Sequence, residues 1–593
     1  MNKLQLTFSL LLIGTSTSLQ AIDTIDPVIV TATRTAQSAD ETLASVTVIT
    51  REEIEQSQAG SLMELLHGRA ASLDFSRNGG PGSNTSLFLR GSESDHVLVL
   101  IDGVRAASVT NGAYNWASLN PAQIERIEIV RGPHSTLYGS EAIGGVIQIF
   151  TRRGKGLHAS LSGGSYGTAG ATFGTGGELG EGRYHLNLSH KQSEGFSTTN
   201  ASSTNYESDD DGYKNSSVGI GYSTPIGNDL EFGINLSHTK GRNDYDDGGY
   251  ANAYAETQNN TAEMHIDWQT SENWNQRLSV NSSEDLNESH DSWPATITTR
   301  RKGINWQHDL ETGHNSLLTL GLDAQQDHGK IADSYDEKTT TQAGYLQYQW
   351  SGKQLDLLLG ARSDQHSEYD QHTTGRLVVG SRLGEGRLYA SYATAFKAPT
   401  FNELYYPFYG DPTLLPEESV SVEVGYRRGQ LRASLFKTEI DNLIQYNTLT
   451  WLADNIGQAR ITGAELEYGL QVSSWRVDSS VTLQKAEDVE SGENLLRRAE
   501  KKIALTASGP VTAATDMGIE ISYTGRREDS FGFPSQRVFL PSFTLLNLTG
   551  EYRISPNWRL KGRVENLLND EYQLAYGYNT PGASAYISLH YTQ

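Results

Sequence analysis

Cysteine is absent from the 593 residues, which excludes disulfide staples and thiolate metal sites and agrees with an oxidising, exported setting. Long apolar runs are absent too. Past Ala21 no stretch reaches the roughly 18 apolar residues that a helical span needs, and mean hydropathy is −0.49, so helical membrane spans are excluded. Basic residues are in deficit: 47 Lys and Arg stand against 71 Asp and Glu, a net charge of −24. That balance argues against a nucleic-acid partner, whose phosphates require a cationic face. Phenylalanine is scarce beside its polar-tipped relatives, with 15 Phe to 29 Tyr and 9 Trp. Two classes survive, a soluble exported protein and a barrel that crosses a membrane with strands. In such a barrel only alternate strand residues meet lipid, and Tyr and Trp girdle the two interfaces, so the chain reads as hydrophilic on average. The aromatic balance favours the barrel.

What is present begins with Met1-Asn2-Lys3, an apolar run from Leu4 to Ile13, and small polar residues up to Ala21. This is the layout of a secretion signal, expected over residues 1–21. Next comes Asp26-Pro27-Val28-Ile29-Val30-Thr31-Ala32-Thr33-Arg34. Consecutive β-branched residues in polar surroundings make a strand former with no strand partner close in sequence. It reads either as the first strand of the following domain or as an extended segment lent to the sheet edge of another protein.

Residues 35–153 read as a mixed α/β domain. Ser45 to Thr50 is strand-like, helical spacing starts at Arg51 and again after Ser61, and Val97-Leu98-Val99-Leu100-Ile101 followed by Asp102-Gly103 reads as a buried central strand ending in a turn. Beyond Gly154 the texture changes to alternating segments punctuated by Gly, Asn, Asp and Pro. In the last of them Ala585, Ile587, Leu589 and Tyr591 share one face. Period 2 over strands of this length fits a barrel wall turned toward lipid.

In order and spacing, Leu89-Arg90-Gly91, Leu100-Ile101-Asp102-Gly103-Val104, Arg131-Gly132-Pro133 through Tyr138-Gly139-Ser140, and Ile143-Gly144-Gly145-Val146 resemble the plug of TonB-dependent receptors. Phe396-Lys397-Ala398-Pro399 and Val564 through Tyr572 resemble that family's barrel signatures. Asp26 through Thr33 (Asp26, Pro27, Val28, Ile29, Val30, Thr31, Ala32, Thr33) resembles its TonB box. The resemblance implies an all-β transmembrane barrel of about 22 antiparallel strands over 154–593, an α/β plug over 35–153 inside its lumen, and a box segment over 22–34. It implies residence among outer-membrane lipid and active transport powered through TonB with ExbB and ExbD. No enzymatic activity and no nucleic-acid partner are expected, and such an exterior also serves phages or colicins. One departure stands out: family members end on an aromatic residue, whereas this chain ends Tyr591-Thr592-Gln593.

Two acidic clusters bear on the cargo. Glu207, Asp209 and Asp211 alternate, so an extended chain would set three carboxylates on one face, and Asp244-Tyr245-Asp246-Asp247-Gly248 follows, with Glu256 beyond. Crowded carboxylates repel unless a cation neutralises them, and Ca²⁺ takes roughly six to eight hard oxygens. Without further context the same residues also read as solvated acidic loops. An EF-hand is excluded, because counting from Glu207 puts Val218 where a bidentate Glu is needed. The likeness extends along nearly the whole chain to the cobalamin-transporting receptors of the family, and it implies calcium ligands at Glu207, Asp209, Asp211, Tyr245, Asp246 and Glu256. Ser197 stands where one more carboxylate is expected. It also implies corrinoid contacts at Asn84, Ser86, Glu93, Asn111 and Gly112 of the plug and at Arg497 and Phe531 of the barrel. Asn84 replaces an aliphatic residue and Phe531 a tyrosine, which points toward a variant corrinoid.

A ferric-siderophore receptor is the alternative within the family, and it would more naturally line its outer pocket with Arg, Lys or aromatic residues. An outer-membrane barrel enzyme is the rival from another class. Gly163-Gly164-Ser165-Tyr166-Gly167 matches the Gly-x-Ser-x-Gly string, but a nucleophile elbow requires a helix after it, and alternating Gly-rich sequence lies on both sides. His134 falls inside the Arg131-Gly132-Pro133 signature and reads as structural.

Overall fold

The alternating segments close on themselves. In the computed structural model, which describes residues 29–30, 34, 37–38 and 42–593 apart from 448–449 and 533–534, 22 antiparallel strands form a closed barrel. The first, Gly156–Gly164, pairs with the last, Ser584–Thr592, with His158 opposite Thr592. Closure leaves no edge strand with unpaired backbone groups, the condition for crossing lipid with sheet. Strands reach 21 residues in Leu452–Val472, about twice the ~9–11 that a tilted strand needs to cross the hydrocarbon, so their ends stand clear of it. Alternation sorts the side chains: Leu188 points out and is exposed, whereas His185, Asn187 and Ser189 of the same strand are buried toward the lumen.

The lumen is filled by a five-stranded mixed sheet in the order Val46–Ile49, Ile124–Arg131, Gly145–Thr151, Val97–Ile101, Val104–Arg105. Val97–Ile101 runs parallel to Gly145–Thr151 and is buried along its whole length, as a strand covered on both faces must be. The helices Arg51–Ser57 and Leu62–Leu66 each begin with a capping box, Thr50 with Glu53 and Ser61 with Glu64, which satisfies the free N–H groups of their first turns. Leu62, Leu65, Leu66, Leu73, Ile127 and Ile147 make the centre of the core, and Phe543 of the barrel wall joins it.

The arginines of two signature strings seat this domain. Arg90 grips Glu465 with two parallel bonds of 2.9 and 2.7 Å and Glu423 with a third of 2.8 Å, while its cation lies 4.4 Å from the centre of the Phe436 ring. Arg131 pairs with Glu467 and donates to the Ala71 carbonyl. On the other side the fit is loose. There a cavity of about 1070 Å³ runs between domain and wall, from Asn228 and Asp229 at one rim to Phe401 and Leu404 at the other. It is crossed by Glu141, which pairs with Arg105 of its own domain and Arg301 of the wall.

Residues 163–167 span the turn between two barrel strands, and the strand Thr168–Leu179 follows where an elbow would need a helix. His134 is buried, bonded through Nδ1 to the Gly132 carbonyl and through Nε2 to Arg376. Its role is structural. At the start of the chain Ile29–Val30 forms a short antiparallel pair with Gln37–Ser38. The leader 1–21 and the box positions Asp26, Pro27, Val28, Thr31, Ala32 and Thr33 lie outside the described residues.

Candidate functional site

The barrel's connections differ between its rims. One rim has tight turns such as 180–181 and 272–273, and the other carries long loops, 197–210, 398–416, 489–500, 525–542 and 566–583 among them. The tips of the inner domain meet these loops. Ser86 lies in the strand Thr85–Leu89, and the next residue, Leu87, donates its N–H to Ser94 Oγ at 3.2 Å. That bond draws the strand against the turn that carries Glu93. Gly112 has φ 71°, and a Cβ there would sit 2.3 Å from Asp95 Cβ, so only glycine lets Asn111 and Gly112 approach this turn. From the barrel, Arg498 ion-pairs with Glu93 at 2.5 Å. Its neighbour Arg497 spends Nε on Asp529 at 2.8 Å, and the Phe531 and Tyr576 rings pack 4.7 Å apart. Glu93, Asn111 and Gly112 thus gather at one turn of the inner domain, and Arg497 and Phe531 belong to the barrel loops 489–500 and 525–542. Asn84 is exposed in a separate turn, where Gly82 lies against Tyr213.

Beneath them is a buried charge cluster for which the sequence offered no signal beyond the Phe396-Lys397 string. Lys397 lies 2.8 Å from Asp95, 3.1 Å from Glu417 and 3.3 Å from Glu403, and His96 Nε2 lies 2.9 Å from Glu417. Burial pulls the His96 pKa down, but the Glu417 carboxylate more than compensates and leaves it raised. A raised value means that its contribution is fully present below about 6.5, the ordinary histidine value, and is lost as pH climbs through the raised value. Hydrogen exchange at residues 93–97, corrected for intrinsic rates, should therefore accelerate as pH rises above neutrality, and His96→Gln should flatten that dependence.

The loops 197–210 and 245–253 bring three carboxylates together. Glu207, Asp209 and Asp246 offer oxygens within 4.8 Å of one another. Asp246 is buried, and its Oδ1 has no hydrogen-bond partner among the described residues, while Oδ2 accepts from the Thr199 N–H at 2.8 Å. A buried carboxylate oxygen without a donor is costly, and an all-oxygen set at this spacing suits a hard cation with ~2.3–2.6 Å contacts. The chain bends at Ser208 and Asp209 instead of extending, so Asp211 does not line up with the other two; its Oδ2 accepts from the Thr198 N–H at 2.6 Å. Tyr245 donates to Asp291 at 2.5 Å, and Glu256 pairs with Lys240 at 3.2 Å.

A second site lies at the N-terminal end, in the cavity. Arg34, the residue after the Asp26–Thr33 run, lays both terminal nitrogens on Asp323 at 3.3 Å and donates to the Tyr345 hydroxyl at 2.7 Å. Its carbonyl accepts from Gln307 Nε2 at 2.9 Å, and its cation stands 4.8 Å from the Tyr138 ring centre and 4.6 Å from that of Tyr345. Sequence reasoning missed this latch, because Asp323 is 289 positions away.

Against this geometry stand the comparisons with known proteins. The description "TonB-dependent Receptor Plug Domain" matches residues 38–146, and "TonB dependent receptor-like, beta-barrel" matches residues 152–567. The chain belongs to the TonB-dependent receptor family. A vitamin B12 transporter, BtuB, of Vibrio cholerae serotype O1 is 31% identical over 590 residues, with 95% of each chain covered. One of Photobacterium profundum is 29% identical with the same coverage. Among solved structures, the siderophore receptor PirA from Acinetobacter baumannii superposes with a TM-score of 0.81 at 19% identity, covering 92% of this chain and 98% of that one. The ferric-catecholate receptor Fiu from E. coli K12 gives 0.79 at 16%, covering 94% and 98%. At such identities the structures speak for fold.

As a TonB-dependent receptor the protein is an outer-membrane transporter, and its family is one of transporters, not enzymes. The long-loop rim faces outward and the tight turns face the periplasm, where TonB acts. The latch then ties Arg34, the residue after the Asp26–Thr33 run, to the wall. Arg34→Ala removes several charge-assisted bonds while Asp323 keeps Arg362, a loss on the order of 1–2 kcal/mol, or roughly 5–30-fold in the released population. A spin label at Thr33→Cys, unambiguous in a chain without cysteine, should report a correspondingly larger mobile fraction.

Proposed function

We propose that this receptor imports a corrinoid of the cobalamin class, with Ca²⁺ ordering its outer loops. One observation carries the reading: identity of 31% spans 95% of both this chain and a vitamin B12 transporter, against 14–19% for the superposable siderophore receptors. The open carboxylate oxygen of Asp246 beside Glu207 and Asp209 supports the cation. Bound there, calcium would neutralise mutually repelling carboxylates and preorganise the loops, so that less ordering entropy is lost when cargo arrives. Asp211, Tyr245 and Glu256 enter the set only by rearrangement of the loops.

On the outer face, Asn84, Ser86 and Asn111 offer amide and hydroxyl partners for a corrin's amide side chains. Gly112 lets the ring approach the backbone, and Glu93, tied to Arg498, holds the apex in place. The guanidinium nitrogens of Arg497 beyond its Asp529 bond face a phosphate, and the Phe531 and Tyr576 pair supplies an apolar platform. In this scheme residues 1–21 are removed on export, 22–34 carry the box at 26–33, 35–153 form the plug and 154–593 the barrel. Cargo binding releases the box, TonB pairs with it by β-augmentation, and ExbB with ExbD supplies the proton-driven pull. The exterior also offers purchase to phages or colicins; a superposable relative, FpvAI, has been captured with pyocin S2.

The test is equilibrium binding of cyanocobalamin to the purified, detergent-solubilised receptor, with calcium and then with chelator. Tight binding that weakens about tenfold or more on chelation is expected, and Asp246→Asn should reproduce the chelated state. Absence of binding in both conditions overturns the corrinoid reading. Ferric siderophores would then be tested next, the cargo named for several of the superposable structures.

A further inference from the structure

A shallow groove of about 520 Å³ crosses the outer wall of five consecutive strands, from Tyr254–Ser271 to Tyr335–Ser351. Two registered rows form its floor. In the upper, Ala262 faces Ser282, Ser282 faces Lys302, Lys302 faces Gln326 and Gln326 faces Thr340; in the lower, Met264, Val280, Ile304 and Ala324 follow one another. The recess exists because Ala262, Ser282 and Ala324 are small where neighbouring wall positions carry Trp306 and Leu322. Its apolar members are open to the surroundings, with Met264 49%, Val280 52% and Ile304 45% exposed.

Height on the wall identifies what surrounds it. Lys302 is eleven residues above Gly313 at the periplasmic turn, which is the ~9–11 residues that carry a tilted strand across the hydrocarbon. It therefore stands at the outer headgroup level, with apolar groove below it. One row higher, Arg300 faces His328 and His328 faces Lys338, and Lys330 lies beyond. The acids in the two rows directly above the groove are engaged: Glu284 with Arg300 at 3.0 Å, and Asp336 with Lys330 at 2.9 Å and with His328 at 2.6 Å. Lys302 and Lys338 are exposed and have no ion-pair partner among the described residues. Two free cations over an apolar groove are a pointed arrangement in a chain of net charge −24.

We propose that this groove is a binding site for a phosphate-bearing glycolipid of the outer leaflet, with an acyl chain along the groove and a headgroup phosphate between Lys302 and Lys338. The groove explains the chain and the unpaired cations explain the charge, and neither alone would select a lipid. A zwitterionic phospholipid brings its own cation and gains less from the two lysines. Attraction between ammonium and phosphate is stronger at the hydrocarbon boundary than in free solvent, because screening there is incomplete.

The test is native mass spectrometry of the delipidated, detergent-solubilised receptor with added diphosphoryl lipid A, its dephosphorylated form and phosphatidylethanolamine. One saturable diphosphoryl lipid is expected, with the other two lipids weaker. Lys302→Glu with Lys338→Glu should lower the affinity for it by about tenfold or more. Lys485→Glu, an exposed rim lysine on the outward face of the distant strand Trp475–Asp488, should leave that affinity unchanged, and heat-resistant gel mobility verifies that each variant barrel is folded. No saturable binding, equal binding of phosphatidylethanolamine, an unaffected double variant, or an equal loss with Lys485→Glu would each overturn the site and leave annular lipid only.

Discussion

Val30→Pro is expected to reduce energised uptake of labelled cyanocobalamin to leak level, a fall on the order of 100-fold, while binding at the outer face stays within about twofold. Val30 is opposite Gln37 in a two-residue antiparallel pair, and the β-branched run around it suits extended pairing with a partner's sheet edge. Proline there removes a ladder donor and places a ring where the partner strand must lie. Pro27, by contrast, lies at the end of the run, where a missing donor costs least. The proposed cargo contacts lie at the outer tips of the plug, so equal loss of binding and uptake would remove the box assignment. Val30→Ile is the matched control and should transport normally.

Arg90→Met is expected to destabilise the seating of the plug by about 3–5 kcal/mol, because it leaves two buried carboxylates without their principal cation. Glu465 loses two parallel bonds and Glu423 one. With a denaturant slope of ~1–3 kcal/mol/M, the urea midpoint for plug release should fall by roughly 1–5 M. Fluorescence of a dye on an introduced plug cysteine would follow the transition in the intact receptor. Adding Glu465→Gln should restore part of the loss, since removing both partners costs less than orphaning one. An unchanged midpoint in Arg90→Met would mean that the apolar contacts at Phe543 and Phe436 hold the plug and that the ion network only orients it.

The two strings Leu89-Arg90-Gly91 and Arg131-Gly132-Pro133 were legible as family signatures, but their reason was not. It appears once Glu423, Glu465 and Glu467, more than 330 positions away in sequence, are seen to arrive at the same buried spot. The acidic run Glu207, Asp209 and Asp211 shows the opposite case. Its alternation assumed extended backbone, and a bend at Ser208 and Asp209 leaves Asp211 outside the group in which Glu207 and Asp209 meet Asp246. Likewise the Gly-x-Ser-x-Gly string carried no elbow, because a short string turns into a helix or a strand according to the sheet in which it is built.

Local chemistry was enough for the class of molecule. Apolar alternation with period 2, a deficit of long apolar runs, turn residues at regular intervals and the tyrosine-rich balance all act within a few residues, so they could be read in one dimension as a strand-built membrane barrel behind a small α/β domain. Tertiary structure alone decided which side of the plug is clamped by Arg90 and Arg131 and which is left open as a cavity. It likewise decided that Arg34 meets Asp323, and that among the described residues Asp246 keeps an unpartnered oxygen and Lys302 and Lys338 have no ion-pair partner above the groove. The physical reason is closure: strand register around a ring of 22 places residues hundreds of positions apart within bonding distance, and no local pattern encodes those meetings.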